Sequence, residues 1–264
     1  MDSNYIAINR KAWNNKTDIH LNSEFYFLED FKEGKSSLNS IEINLLGDVK
    51  QKSILHLQCH FGQDSMSLSR LGANVTGMDF SDKAIHRAKS LAHELKLNTK
   101  FICCDVYDLP KHLNETFDIV YTSYGTIGWL PDLDKWANVV SQFLKPKGKF
   151  VFVEFHPFLW MYDDNFQYVK HNYFNSGFII EKESGTYADR NANISQQTIS
   201  WNHSLSQVFT SLLKQPLYIK SFIEYDYSPY NCFFNTIEFE PGKYRIKHFE
   251  DKVPMLYSIV VEKI

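Results

Sequence analysis

Three turns, each following a short apolar segment, carry side chains suited to binding a ligand that contains a ribose. The first is Gln58-Cys-His-Phe-Gly62, where a strand-to-helix turn brings backbone N–H groups against a ligand. The second ends at Asp79, 21 residues after Gln58, near the offset of about 20 at which a carboxylate accepts both ribose hydroxyls. The third ends at Asp105, which can accept from an exocyclic amine such as that of adenine. Each feature also has a structural alternative. The first turn could be an ordinary strand-to-helix turn, Asp79 could cap a helix, and Asp105 could be a solvated acid in a turn.

Alternating strand and helix patterns position these turns. Apolar runs predict strands at 53–57, 74–80, 100–106, 117–124, 149–155, 218–227 and 255–263. Helical spacing predicts helices at 64–71, from Ser81 to Leu95 and from Pro131 to Leu144. Such alternation implies a Rossmann-like, doubly wound α/β fold whose seven-stranded sheet is mostly parallel. Ligands on such sheets bind at the carboxyl ends of the strands.

The flanking segments differ from this repeat. Residues 1–48 are polar with scattered aromatic residues and predict an N-terminal helical cap. Residues 158–202 are rich in aromatic residues, Asn and Ser, and predict an inserted β-rich lid. Residues 203–264 predict a closing helix and strands. We therefore expect one domain over 1–264, with the ligand-binding core at 49–157.

Composition excludes several classes of protein. The 264 residues include 28 Lys+Arg and 31 Asp+Glu, so the net charge of −3 gives no footprint for nucleic acid or an anionic membrane. No segment has the length of a transmembrane helix, and the N-terminus lacks the apolar region of a signal peptide. The four cysteines form no CxxC pair, which favours reduced thiols, a cytoplasmic location and no metal site. Aromatic residues make up 16% of the chain and suggest an apolar pocket or a large core.

The motifs resemble those of class I S-adenosylmethionine (SAM)-dependent methyltransferases, in particular the type-11-like small-molecule subgroup. The resemblance is strong from Ile54 to Pro157, through the phrases LHLQCHFG, VTGMDFS, DVYDLP and GWLPDLDKW. It extends less specifically to GTYAD, WNHSL and DYSPYNCF. The sequence departs from the class pattern at His56, where an acid is usual, and at Gln58 and His60, which replace two glycines.

The resemblance implies SAM as the cofactor and S-adenosylhomocysteine (SAH) as its product. It places the methionine end on Gln58 to Gly62, the ribose on Asp79, and adenine on Asp105 and Val106. The expected cofactor-binding residues are Gln58, Cys59, His60, Gly62, Asp79, Phe80, Asp105, Val106 and Thr122.

Candidate residues for the acceptor lie mainly in the flanking segments. His156 ends the fifth predicted strand, where it could act as a general base or have a structural role. Aromatic faces and one further histidine are expected to contact the acceptor: Trp13, Tyr26, Tyr124, Tyr173, Trp201 and His203.

The expected function is methyl transfer to a small-molecule acceptor, achieved mainly by positioning in a water-excluded pocket. A non-catalytic SAM- or SAH-binding protein remains an alternative. A nicotinamide-dependent oxidoreductase is disfavoured, because the first turn lacks glycines and Asp64 would compete with a pyrophosphate for the helix start. An RNA or DNA methyltransferase is disfavoured by the charge of −3. The expected partner is therefore a small molecule, neither nucleic acid nor membrane, and the oligomeric state is left open.

Overall fold

The structure is a computed structural model that describes residues 4–264, so the first three residues of the predicted cap lie outside the described part. The strands are β1 (Ser53–Leu57), β2 (Asn74–Asp79), β3 (Lys100–Cys103), β4 (Phe117–Ser123), β5 (Leu144–Phe155), β6 (Ile179–Ser184), β7 (Ser195–Ser200), β8 (Leu217–Tyr225), β9 (Thr236–Glu240), β10 (Lys243–Ile246) and β11 (Leu256–Lys263). The α-helices are α1 (Tyr5–Leu21), α2 (Leu28–Lys32), α3 (Ser40–Leu46), α4 (Gln63–Arg70), α5 (Asp82–Glu94), α6 (Leu133–Phe143) and α7 (Leu205–Leu213). Short 3₁₀ turns occupy Glu24–Tyr26, Val106–Lys111, Ile127–Trp129 and Leu159–Met161.

The central sheet has seven strands in the order β3-β2-β1-β4-β5-β11-β8. Strands β1 to β5 pair in parallel, whereas β11 runs antiparallel to both of its neighbours, β5 and β8. The chain reverses strand order between β1 and β4, and ligands of doubly wound sheets bind at such a switch point. The predicted fold class is confirmed.

Local sequence explains the central strands and the helices beside them. Ile54, Leu55 and Leu57 are fully buried, because a parallel strand is covered by helices on both faces. Ser81 caps α5, its hydroxyl accepting a hydrogen bond from the Ala84 N–H at 3.1 Å. The buried stripe of α5 then packs towards β3 and α4.

Two hydrophobic layers enclose the sheet. One layer packs α6 and α7 against it, with the fully buried Trp136 contacting the rings of Phe150 and Phe152 at 5.6 and 5.3 Å. The other layer lies under α3 and α4 and contains Ile54 and Tyr121, both fully buried. The sheet is therefore rigid where its carboxyl edge must hold side chains in place.

Several predicted boundaries were wrong, among them the start of β5, at Leu144 instead of residue 149, and the end of β8, at Tyr225 instead of residue 227; capping explains two others. The third strand ends at Cys103 instead of residue 106, because the Asp105 carboxylate accepts from the Tyr107 N–H and starts a 3₁₀ turn. Helix α6 begins at Leu133 instead of Pro131, because Asp132 caps it through the Lys135 N–H. A further hairpin, β9–β10, lies in the loop before β11.

Helix α1 lies at the carboxyl edge of the sheet, whereas α3, which the sequence analysis included in the cap, packs on a face of the sheet. Helix α1 packs against α5 and against strand β7. Strands β6 and β7 form an antiparallel hairpin, in which Ile179 pairs with Ser200 and Ser184 with Ser195. No helix among residues 4–264 is both long and apolar enough to cross a membrane.

Candidate functional site

The turn between β1 and α4 adopts a left-handed backbone at alternate residues. The φ angles of Gln58, His60 and Gly62 are 54°, 51° and 79°. Only glycine adopts this region freely, and each of the other two residues costs roughly 1 kcal/mol. Strain of this kind concentrates at functional turns, so Gln58 and His60 are candidates for a role that glycine could not fill.

Gly62 serves the packing beneath this turn. A Cβ atom added there would lie 2.5 Å from Cε1 of Phe101 and 3.3 Å from Cβ of Ala88. The missing side chain therefore points towards β3 and α5. Close packing of helix and strand under the turn, rather than space for a ligand, requires glycine here.

We expect Gly62→Ala to destabilise the fold by about 2–3 kcal/mol, from overpacking against Phe101 and the positive φ together. Thermal unfolding measures the effect. Gly242→Ala is the matched control, because Gly242 has a φ of 70° but nothing within 4 Å of an added Cβ. Equal losses in the two variants would show that backbone conformation alone is responsible.

Asp79 joins the ends of β1 and β2. Its Oδ2 accepts from the His60 N–H at 2.9 Å and its Oδ1 from the Ser81 N–H at 2.8 Å. A carboxylate has about four acceptor positions, so two hydroxyls of a ribose can still be accommodated. Burial raises the pKa of Asp79 to about 6.

The end of β3 presents Asp105 and Val106. Asp105 is half-buried and caps the 3₁₀ turn through the Tyr107 N–H at 3.0 Å, while Val106 is buried. Burial raises the pKa of Asp105. Phe80, at the end of β2, is only partly buried and accepts from Arg10 Nε of α1 at 3.0 Å through its carbonyl. These residues form one continuous edge with Asp79.

Gln58 reaches across the sheet to the loop after β4. Its Nε2 donates to the Thr126 carbonyl at 2.8 Å, while its Oε1 is buried without a partner among residues 4–264. The side chains of Cys59 and Thr122 do not reach this edge. Cys59 packs in the apolar cluster beneath the turn, and the fully buried Thr122 hydroxyl donates to the Leu57 carbonyl at 3.2 Å. The contacts of both side chains are therefore structural, and a cofactor role for either residue stays a prediction.

His20 and His60 form a contact that the sequence analysis missed. His20 Nδ1 lies 3.0 Å from His60 Nε2, and the outer nitrogens, His20 Nε2 and His60 Nδ1, have no partner within residues 4–264. Burial lowers the pKa of His20 to about 2 and that of His60 to about 3, so both rings are neutral near pH 7. The shared bond then uses one N–H and one lone pair. Of the two outer nitrogens, one must therefore carry a hydrogen and act as a donor, and the other must act as an acceptor.

Helix α1 covers the turn and the end of β2. Trp13 contacts the rings of His60 at 5.2 Å and of Trp129 at 5.5 Å, in both cases edge-on. Asn14 accepts from the Ser81 hydroxyl at 2.7 Å and donates to Asp82 at 2.8 Å. These contacts hold α1 over the ends of β1 and β2, the edge where the cofactor is expected to bind.

The β6–β7 hairpin closes against α1. Asn9 exchanges two hydrogen bonds with the backbone of Ile199, at 2.7 and 2.9 Å. The Lys16 ammonium lies 2.6 Å from Glu183 of β6 and above the rings of Trp13 and Trp129. Lys16 is buried, so this pair ties the cap and the hairpin together over the site.

The expected acceptor residues fall into two groups. Trp13, Tyr26 and Tyr124 lie around the turn: Tyr26 contacts the rings of His60 and Phe61, and the Tyr124 hydroxyl donates to Glu42 at 2.7 Å. Tyr26 also lies 2.5 Å, hydroxyl to hydroxyl, from Tyr187. The rings of Trp13 and Tyr26 form an aromatic wall beside the His20–His60 pair, whereas Tyr124 contacts Tyr230 and Phe155.

The other group has structural contacts. Trp201 is buried. Its backbone N–H donates to the Gly128 carbonyl at 2.8 Å, and its ring lies 5.1 Å from the ring of Tyr5. Both ring nitrogens of His203 have partners, the Leu130 carbonyl at 2.8 Å and Gln207 at 3.2 Å. The Tyr173 hydroxyl accepts from the Leu205 N–H at the start of α7. These residues support the walls of the site.

His156 lies at the end of β5, but its ring is engaged elsewhere. Its Nδ1 accepts from the Phe158 N–H at 3.1 Å, and its Nε2 lies 3.0 Å from Glu224 of β8. Burial lowers its pKa despite the charge of Glu224. These contacts favour the structural role for His156, and a role as general base stays a prediction.

Unpartnered buried polar atoms test whether the site fits a polar ligand. Gln58 Oε1, His60 Nδ1, His20 Nε2 and Trp13 Nε1 all lack a partner among the described residues and all lie around the β1–α4 turn. A buried polar group without a partner costs about 1–3 kcal/mol, so such a cluster fits a ligand that supplies donors and acceptors. The residues present fit an adenosyl amino acid at this edge.

Asp64, in the first turn of α4, is a second acid beside the turn and is partly exposed. It accepts from the Ser37 hydroxyl at 2.6 Å, and burial, followed by the charge of Glu42, raises its pKa to about 7. Asp118, at the opposite edge of the sheet, behaves differently. Burial alone would raise the pKa of Asp118, but hydrogen bonds from Ser53 and Lys145 hold this pKa at about 2.

These two acids predict opposite effects of pH on stability. A raised pKa means that ionised Asp64 opposes folding, and the penalty grows between about pH 4 and pH 7. Asp64→Asn should therefore raise stability by on the order of 1 kcal/mol at pH 8, about 2–4 °C in Tm, and by less at pH 5. Asp118→Asn should lower Tm equally at pH 5 and pH 8, because the pKa of Asp118 in the folded protein lies far below both pH values. Scanning fluorimetry at pH 5 and pH 8 compares the variants; a gain for Asp64→Asn that does not grow with pH would contradict this.

Sequence reasoning missed several residues of the site. His20, Lys16 and Glu154 are buried polar residues, but their partners are distant in the chain. The available signal was the i, i+3, i+7 spacing of Trp13, Lys16 and His20, which places the three side chains on one face of α1. No group of three or more His, Cys, Asp or Glu side chains in residues 4–264 is placed to hold a metal ion.

Comparisons with known proteins agree with this geometry. A family profile described as a methyltransferase domain matches residues 54–148. The ubiquinone biosynthesis O-methyltransferase of Coxiella burnetii is 34% identical over 104 residues, covering 39% of this chain and 44% of the relative. An uncharacterized methyltransferase of Synechocystis is 30% identical over 131 residues, covering 49% and 59%. The chain thus spans about half the length of the curated relatives it matches.

Solved structures show the same fold. A SAM-dependent methyltransferase from Clostridium acetobutylicum superposes with a TM-score of 0.58 at 16% identity, covering 97% of this chain and 99% of that one. The DhpI–SAH complex gives a TM-score of 0.57 at 15% identity, covering 100% and 99%. Residues 54–148 thus match a methyltransferase domain, and the chain shares its fold with these SAM-dependent methyltransferase structures.

Proposed function

We propose that this protein transfers a methyl group from SAM to a small-molecule acceptor. The observation that carries the proposal is the strained β1–α4 turn, tied to Asp79 and surrounded by unpartnered buried polar atoms beneath α1. DhpI, which has a similar fold, was solved with SAH, and this supports the same ligand here. The cofactor-binding residues would be Gln58, His60, Gly62, Asp79, Phe80, Asp105 and Val106, with Cys59 and Thr122 acting through the backbone.

Each part of the site has a physical task. Asp79 can accept the ribose hydroxyls, and Gln58 Oε1 and the backbone of the turn can receive the amino-acid end. When bound, SAM supplies a methyl group on a positively charged sulfur, which needs no further activation. The protein's own contribution is then to orient the acceptor and exclude water, for which the cover formed by α1 and the hairpin is suited.

A proton must leave an acceptor that is methylated at an O–H or N–H group. The His20–His60 pair presents one free lone pair in either tautomer, beside the ring of Tyr26. Because burial lowers the pKa of both rings, the pair is a weak base, and we assign it the role of accepting a hydrogen bond from the acceptor. An acceptor that is already a good nucleophile would not need it.

Titration calorimetry with SAH, SAM and NAD tests the cofactor, and turnover with an acceptor library tests the reaction. We expect SAH and SAM to bind and NAD to fail. NAD binding without SAH binding would overturn the proposal. SAH binding without turnover of any acceptor would favour the non-catalytic SAM- or SAH-binding alternative.

We also propose that residues 1–48 and 158–202 act as cap and lid on a core at 49–157. The Asn9–Ile199 and Lys16–Glu183 contacts support this, since both segments close over the turn together. Bound SAH should slow amide exchange in α1 and β7, because opening of the cover would then require ligand release. Hydrogen-exchange mass spectrometry measures it. Protection confined to the strand ends would refute the lid.

A cytoplasmic location belongs to the same proposal. The four cysteines are free thiols, as expected in a reducing compartment. The similarity to small-molecule methyltransferases supports a small-molecule partner.

A further inference from the structure

Two carboxylates, Glu42 and Asp64, lie beside the β1–α4 turn. Glu42 of α3 is fully buried, and Asp64 of α4 is partly exposed although it lies deep in the protein. Burial raises the pKa of both groups, and the charge of Glu42 raises that of Asp64 further. The two acids therefore share one electrostatic environment, and ionising both at once is unfavourable.

Neither acid has a positively charged partner. No Lys, Arg or His nitrogen in residues 4–264 lies within 4.0 Å of either carboxylate. Their donors are neutral: the Ser37 hydroxyl at 2.6 Å for Asp64, and the Asn39 N–H at 2.8 Å and the Tyr124 hydroxyl at 2.7 Å for Glu42. Two enclosed acids without a counter-charge are suited to a ligand that brings one.

Tyrosine rings surround this pair. Tyr124 and Tyr230 contact each other at 5.0 Å, and Tyr26 packs 4.7 Å from Phe61. These three tyrosines are partly exposed even though they lie between α3, the turn and the loop before β9, so they border an enclosed space. Aromatic faces together with carboxylates form a favourable environment for an organic cation.

Tyr121 supplies an independent indication of a ligand. The residue is fully buried, and its hydroxyl has no partner among the described residues. Tyr121 lies in the layer under α3 and α4, the helices that carry the two acids, and burial followed by the charges of Glu42 and Asp64 raises its pKa. A buried hydroxyl left unsatisfied next to two carboxylates indicates that a polar group completes the cavity.

We propose that this cavity, formed by Glu42, Asp64 and the tyrosines at 26, 121, 124 and 230, binds the ammonium group of the methyl acceptor. The inference rests on the proposed function and adds the substrate class, a small amine with a flat or apolar body. The amino-acid end of SAM fits less well, because its own carboxylate would face the two acids without a neighbouring cation. The ammonium group is a binding handle here, whichever atom of the acceptor is methylated.

Tyramine and tyrosol test the proposal, because they share a ring and differ in an ammonium or a hydroxyl group. Each is titrated into wild-type protein saturated with SAH. We expect tyramine to bind about tenfold more tightly, and Asp64→Asn and Glu42→Gln each to reduce this preference to about twofold or less. Asp118→Asn, at the far edge of the sheet, should retain it. Equal binding of the two probes, or a preference that survives both cavity variants, would overturn the proposal.

The SAH titration separates this inference from the proposed function. Failure of wild-type protein to bind SAH would count against the function itself. If Asp64→Asn weakens SAH but leaves 5′-methylthioadenosine unchanged, the ammonium site belongs to the cofactor, because only SAH carries the amino-acid group. That outcome would overturn the acceptor assignment while supporting methyltransferase function. SAH binding by each variant also shows that it is folded.

Discussion

Asp79→Ala should lower the affinity for SAH by about 100- to 1,000-fold, or roughly 3–4 kcal/mol. The variant would lose the acceptors expected for the ribose hydroxyls. It would also release the His60 N–H, which Asp79 holds at 2.9 Å, and so loosen the strained turn. Calorimetry with SAH measures the loss.

Two variants show whether the loss is specific. Asp79→Asn keeps one carbonyl acceptor, and we expect an intermediate affinity. Asp82→Ala removes a nearby acid whose contact is with Asn14 of the cover, and it should change SAH affinity by less than about threefold. Unchanged SAH affinity in a folded Asp79→Ala protein would exclude Asp79 from the cofactor site.

Glu154→Ala should be among the most destabilising single changes in the chain. Glu154 is buried at the end of β5, where it accepts from the N–H groups of Gly125, Thr126, Ile127 and Phe155 and from the Thr126 hydroxyl. Alanine would leave several buried donors unsatisfied, at about 1–3 kcal/mol each. We expect a loss of about 4–6 kcal/mol, or a fall in Tm on the order of 10–20 °C.

Glu262→Ala is the control for Glu154. Glu262 lies on β11 in an exposed pair with Lys220 at 3.7 Å, and its loss should cost less than about 0.5 kcal/mol. Denaturant unfolding compares the two proteins. A Glu154→Ala protein within about 1 kcal/mol of wild type would show that water replaces the carboxylate in the β4–α6 loop.

The Glu154 contacts also bear on the site. The loop that Glu154 holds carries Thr126, whose carbonyl accepts from Gln58, and the partly buried Trp129, which faces Trp13. Loss of Glu154 should therefore disturb both the turn and its cover. Glu154 therefore helps to position Gln58 and Trp13 at the expected cofactor edge without contacting the ligand itself.

The order of strands and helices, and the acids at the strand ends, could be read from the sequence. Ser81 and Asp105 are short-range caps, and the apolar runs of β1 and β4 are long enough to identify buried parallel strands. Asp79 and Asp105 follow directly from these elements, because a parallel sheet brings its carboxyl ends to one edge. Periodicity and capping act within a few residues, so one sequence is enough to reveal them.

The tertiary structure alone decided which side chains meet. His20 reaches His60 across 40 positions, and Tyr26 reaches Tyr187 across 161. Glu224 of β8 contacts His156 at the end of β5, because β11 lies between these two strands and pairs with both of them. Such partners depend on how distant segments cross and pack, and no local pattern encodes that. The sequence by itself determined the order of the central strands and the acids at their ends, whereas the packing of distant segments decided the His20–His60 contact, the cover formed by α1 and the hairpin, and the tyrosines beside Glu42 and Asp64.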